Sequence, residues 1–158
     1  MDDRILVLLL PDALERFEHR EIVERLMRAD GVVVCDPPRT SYDKLLRLPD
    51  GVHAGLADKQ AKRLCRRLPG EPAAVCIFDP GQYPLARGII ARVGPHCRLW
   101  YRPPEEIPDE ERRQALHSLA IERARVVWNE VVELADPLTD LELSSLPERG
   151  GARRARRR

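Results

Sequence analysis

The stretch Ala73-Ala74-Val75-Cys76-Ile77-Phe78-Asp79-Pro80-Gly81-Gln82-Tyr83-Pro84 decides the fold. Its first six residues are apolar without alternation, and a cysteine in such a run behaves as a small hydrophobe. A strand apolar on both faces needs cover on both faces, which favours a parallel sheet between helices. Asp79-Pro80-Gly81 ends the run, and a helix is predicted from about Pro84 to Val93, closed by Gly94-Pro95.

The same unit recurs on either side. Ile5 to Leu10, Val32 to Cys35, and Cys97 to Tyr101 read as further strands. Val126-Val127-Trp128 reads as a fifth, with helix running straight through as its rival. Amphipathic stretches lie between them. Leu14, Phe17, Ile22, Val23, Leu26 and Met27 fit a helical stripe well only from Ile22, so that helix is expected to begin late and to end by Asp30-Gly31. Thr40 or Ser41 can cap a short helix ending before Pro49. A helix over Gly55 to Leu68 lines up Ala57, Ala61, Leu64, Cys65 and Leu68. Asp109 is expected to cap a long helix with the stripe Leu116, Leu119, Ala120, Ala124 and Val127, and a last helix is expected from Asn129 to Ala135. Strand starts about one βαβ repeat apart predict a doubly wound, mostly parallel α/β domain of Rossmann-like architecture over residues 1–147. Residues 148–158, rich in Gly, Ala and Arg, are expected to be a disordered basic tail.

Composition narrows the function classes. The 158 residues are 43% hydrophobic and 34% charged, with 4% aromatics, too few for a base-stacking platform. The net charge of +1 hides an asymmetry. Arg149 to Arg158 hold six arginines and no acid, so the rest carries 21 basic against 26 acidic residues, a body of net −5. The start, Met1-Asp2-Asp3-Arg4, is acidic where a secretory signal wants basic residues. The run Ile5 to Leu10 is far shorter than the roughly 20 residues of a membrane span. A cytoplasmic protein without a membrane span is expected, with its four cysteines reduced. The histidines, at 19, 53, 96 and 117, lack metal-ligand spacing, so no metal is expected.

In an open parallel sheet, ligands bind beyond the carboxyl ends of the strands. The first such loop, Pro11 to Arg16, has no glycine, which argues against a dinucleotide there, and no cofactor is expected. There is no phosphate-binding G-x-x-x-x-G-K-[ST] loop and no G-x-S-x-G elbow. Candidate ligand-binding residues are therefore Asp36 and Arg39 after the second strand, Asp79, Gln82 and Tyr83 after the third, and Arg102 after the fourth. Asp, Gln and Tyr together suit a hydroxyl-rich ligand. Each has a plainer reading: Asp-Pro-Gly is ordinary turn chemistry, Asp36 with Arg39 a solvated pair, and Glu105-Glu106 beside Arg102 a solvated acidic loop. His19 can be a general base or a surface residue. No residue is assigned a catalytic role.

The order of elements resembles the amino-terminal half of GT-B-type glycosyltransferases. The resemblance is carried by Ile5 to Leu10, by Ala74-Val75-Cys76-Ile77-Phe78-Asp79-Pro80-Gly81-Gln82-Tyr83-Pro84-Leu85-Ala86, and by Leu116-His117-Ser118-Leu119-Ala120-Ile121-Glu122-Arg123-Ala124-Arg125-Val126-Val127. It covers roughly residues 4 to 135. It implies a domain that binds a sugar or other acceptor, the nucleotide sugar being bound by the family's carboxyl-terminal half; a subunit completed by a donor-binding partner chain, a degenerate binding domain and unrelated use of the same architecture stay open. The family's glycine-rich first loop is replaced here by Pro11-Asp12-Ala13-Leu14, so the expectation is acceptor binding without catalysis by this chain alone. Two other readings stay open. One is a non-enzymatic domain, or homo-oligomer, whose tail Arg149–Arg158 docks on an acidic partner or nucleic acid. The other is a small enzyme using Asp36, Asp79 and His19 in one cleft.

Overall fold

The computed structural model describes residues 4–28, 31–127 and 155–157. The elements run β1 (Arg4–Leu9), a 3-10 turn (Leu14–Arg16), α1 (Arg20–Leu26), β2 (Val32–Cys35), α2 (Tyr42–Leu46), α3 (Asp50–Arg67), β3 (Glu71–Ile77), a 3-10 turn (Pro80–Gln82), α4 (Tyr83–Val93), β4 (Arg98–Tyr101), α5 (Glu111–Arg123), β5 (Val126–Val127) and β6 (Ala155–Arg157). The strands form one sheet in the order β5-β4-β3-β1-β2-β6, and all pairs are parallel. The expected doubly wound α/β architecture is what the chain adopts. Its β2-β1-β3-β4-β5 core has the flavodoxin-type order 2-1-3-4-5.

The non-alternating strands explain why. Ile5 to Leu9 in β1 and Val32 to Cys35 in β2 are all at most 2% exposed. Odd-numbered positions such as Ile5, Val7, Leu9, Val75 and Ile77 pack against α2, α3, α4 and α5. Even-numbered positions such as Leu6, Leu8, Cys76 and Phe78 pack with Leu14, Phe17, Ile22 and Val23 around α1. One set of strands thus feeds two cores. Helices α3 and α4 approach closely through small residues: a Cβ on Gly88 would lie 3.0 Å from the Ala61 Cβ. Gly94, at φ 127°, ends α4 in a conformation that suits glycine, its N–H bonding Ile90 O at 2.8 Å.

Several boundaries depart from expectation. The late start of α1 is found, and Ser41 caps α2, its Oγ accepting from Lys44 N at 3.3 Å. Helix α3 begins at Asp50, not Gly55. Pro49 at its N-cap pre-sets the backbone, Asp50 complements the helix dipole, and Gly51 and Gly55 face open space. Glu110, not Asp109, takes the N-cap of α5, without a side-chain bond. On α5 the inward positions are Arg113, Leu116 and Ala120, while Leu119 is 39% exposed. Val126–Val127 pair with β4 as a strand rather than continuing α5. Trp128, the expected helix from Asn129 to Ala135, and residues 148–154 and 158 of the expected tail lie outside the described residues. The backbone of Ala155–Arg157 runs beside β2. Among the described residues no helix is long and apolar enough to cross a membrane.

Candidate functional site

The sheet order reverses between β1 and β3. From β1 the chain moves to β2 on one side; it then crosses back to β3 on the other. The loops leaving the carboxyl ends of β1 and β3 diverge, and that is where an open α/β sheet offers a crevice. Gln82 ties the two loops together. Its Oε1 accepts from Phe78 N at 2.7 Å and Asp79 N at 3.1 Å, and its Nε2 donates to Leu9 O at 2.7 Å. With 0% exposure, its amide is spent on backbone groups that would otherwise be buried without partners.

On the α5 side of the crevice lies an ion-pair network. Arg113, 6% exposed at its side chain, donates to both Asp79 carboxylate oxygens at 2.8 Å and also pairs with Asp43. Asp79 further accepts from Gly81 N at 2.7 Å. A Cβ at Gly81 would lie 2.9 Å from Asp79 Oδ2 and 3.1 Å from the Tyr42 Cβ, so any larger residue has to displace the Asp79 carboxylate. Burial pushes the Asp79 carboxyl up; Arg113 and the Gly81 N–H oppose it, and Asp43 adds to the rise. Burial likewise pushes the Tyr42 phenol up, where it meets the Gln82 side chain. One residue earlier on α5, Arg112 donates to Leu48 O at 2.7 Å, contacts His53 Nδ1 at 2.9 Å and pairs with Asp50 at 3.0 Å. The Tyr101 hydroxyl meets His117 Nδ1 at 2.8 Å. The two arginines fasten the α2–α3 segment to α5.

The α1 side is arranged differently. His19, at the N-cap of α1, is 10% exposed at its side chain, and its ring stands edge-on to Phe17 at 5.4 Å. Phe17 in turn packs on Phe78 at the end of β3, at 5.1 Å. The Nε2 of His19 is buried and has no hydrogen-bond partner, its nearest carboxylate, Glu18, being 3.6 Å away. Burial holds the imidazole below its ordinary value, as does Arg102, while Glu18 and Glu105 pull it back. At neutral pH the ring is therefore uncharged, with one nitrogen to donate and one to accept.

Of the residues singled out in the sequence, Asp79 and Gln82 stand together in the turn after β3. Tyr83 points into the core, 8% exposed, and not toward the crevice. Arg102 is buried after β4, its N–H bonding Ile77 O at 3.0 Å, beside His19. Asp36 is half-buried and Arg39 exposed after β2; neither joins the Asp79 network among the described residues. The charged neighbours of Asp79 are Arg113 and Asp43, whereas those of His19 are Arg102, Glu18 and Glu105. The sequence reading missed Arg112, Arg113, Tyr42 and His53. One signal was present: two adjacent arginines in the first turn of a helix oppose its dipole unless something pairs them. No group of three or more His, Cys, Asp or Glu that could hold a metal ion occurs among the described residues.

No protein-family model, curated protein or solved structure matches this chain.

Proposed function

We propose that the chain is an acceptor-binding domain of glycosyltransferase type, which holds a hydroxyl-rich acceptor at the carboxyl ends of β1, β3 and β4 and needs a donor-binding domain for transfer. The observation that carries this reading is the buried, unpartnered His19 Nε2 beside the switch point. A buried polar atom without a partner calls for a reason, and a ligand hydroxyl supplies one. A neutral imidazole suits a hydroxyl, since it can accept its proton or donate to its oxygen. Arg102 and Glu105 stand near enough to influence His19 electrostatically and complete a polar rim. The resemblance of residues 74–86 and 116–127 to a GT-B amino-terminal half points to the same ligand class.

The test is calorimetric titration of the full chain with a panel of mono- and disaccharides, and separately with UDP-glucose as donor probe. At least one saccharide is expected to bind saturably and the nucleotide sugar not to bind. His19→Phe, which keeps the ring and removes both nitrogens, is expected to abolish saccharide binding. No saccharide binding, or equal binding by His19→Phe, overturns the reading.

A further inference from the structure

A concavity lies away from the switch point. It opens between α4 and α5, over the amino-terminal part of β4, and encloses about 650 Å³. That is within the roughly 300–1,000 Å³ typical of small-molecule sites. Four arginines line it: Arg87 from α4, Arg98 from β4, Arg123 from the end of α5, and Arg125 from the link to β5. Among the described residues, no acidic one lines it. Arg98 and Arg125 have partners of their own, whereas Arg87 and Arg123 are exposed, one on each helical wall.

Between the guanidinium groups the walls are apolar, built from Ile90, Leu99 and Leu119. Leu119 belongs to the stripe that the sequence assigned to the core, yet it is 39% exposed and faces this groove. A leucine held at a groove mouth among arginines makes a wall that is cationic and greasy at once. The Cys97 thiol in the same wall is pushed up to about 12, by burial first and then by Cys65 and Glu71, so the groove carries no thiolate nucleophile at neutral pH.

We propose that this groove is a second ligand site, for an anion carried on a compact apolar body: a phosphate, sulfate or carboxylate joined to a ring or short branched chain. Guanidinium forks match such oxyanions in geometry as well as charge. Low-dielectric walls concentrate the positive field on the occupant. The apolar body rests on Ile90, Leu99 and Leu119. The site lies on the α4–α5 side toward the amino-terminal ends of the strands, so it does not depend on the acceptor reading of the opposite edge.

Naphthyl phosphate, inorganic phosphate and naphthol serve as probes, titrated by fluorescence into the full chain at low salt. Naphthyl phosphate is expected to bind at least about tenfold more tightly than either half of the molecule offered alone. Arg87→Ser with Arg123→Ser, both at exposed positions, is expected to weaken it by about tenfold or more at an unchanged unfolding temperature. Leu119→Asn is expected to weaken naphthyl phosphate while leaving inorganic phosphate as it was. The proposal is overturned if naphthyl phosphate does not bind, if inorganic phosphate or naphthol binds as tightly, or if the double arginine variant binds equally well. That last result would assign the anion to the six arginines of residues 149–158. His19→Phe is expected to leave this binding intact.

Discussion

On the α5 side of the strand ends, Asp79, Gln82 and Arg113 spend nearly all their hydrogen bonds on one another, on Asp43 and Tyr42, and on the backbone, with the Arg113 Nε, 3.7 Å from Glu110, left over. On the α1 side, His19 Nε2 is buried with none. Both sides carry polar groups at the ends of strands, where function is expected. Position at a strand end does not by itself mark a site. Gln82 and Arg113 hold loops in place, because diverging loops leave backbone and charge that must be satisfied somewhere. The His19 Nε2 ties down no loop, and it therefore has chemistry to spare.

Gln82→Leu keeps the volume and strands three backbone partners, the buried Phe78 N and Leu9 O and the half-buried Asp79 N. It is expected to lower unfolding stability by about 4 kcal/mol, read as the urea midpoint multiplied by its slope. A loss below about 1 kcal/mol would mean that the amide is not the tie described. Arg113→Ala removes the shared partner of Asp79 and Asp43 and is expected to cost about 3 kcal/mol. Because Asp43 is 76% exposed at its side chain, that loss falls mainly on Asp79, and adding Asp79→Asn to the variant is expected to recover part of it.

The smallest expected effect sharpens the other side. His19→Phe removes a buried polar group that has no partner, so stability at pH 7 is expected to change by less than about 1 kcal/mol. The pH dependence does change. His19 and His53 both titrate below the ordinary 6.5 when folded, through burial and through Arg102 and Arg112 respectively. Below pH 6.5 the unfolded chain takes up protons first, so stability present above that pH is lost as pH falls through the folded-state values. His19→Phe is expected to flatten this loss between neutral pH and pH 5, measured by denaturant midpoints across the range. An unchanged slope would mean that His19 is as protonated when folded as when unfolded.

Much of the fold was legible because it rests on local patterns. Val32 to Cys35 is a β-branched apolar run, and it is a strand with the same bounds. The poor helical fit before Ile22 anticipated the gap between the Leu14–Arg16 turn and α1. Leu119 was misplaced because its spacing fits the stripe, while Arg113, which periodicity treats as surface, took an inward position by meeting Asp79. At the site, Asp79 and Gln82 were legible as a polar group at a strand end. Their use was not, since Gln82 bonds Leu9 across 73 residues and Arg113 bonds Asp79 across 34.

From the sequence alone came the strands buried on both faces, the helices between them, and hence a doubly wound parallel sheet, because non-alternating apolar runs have no other way to leave water. Tertiary structure alone decided the order β2-β1-β3-β4-β5, the place of its reversal, and which polar residues find partners there. Burial is a property each residue brings to its own segment. Pairing depends on which segments meet, and that is settled only when the whole chain has packed.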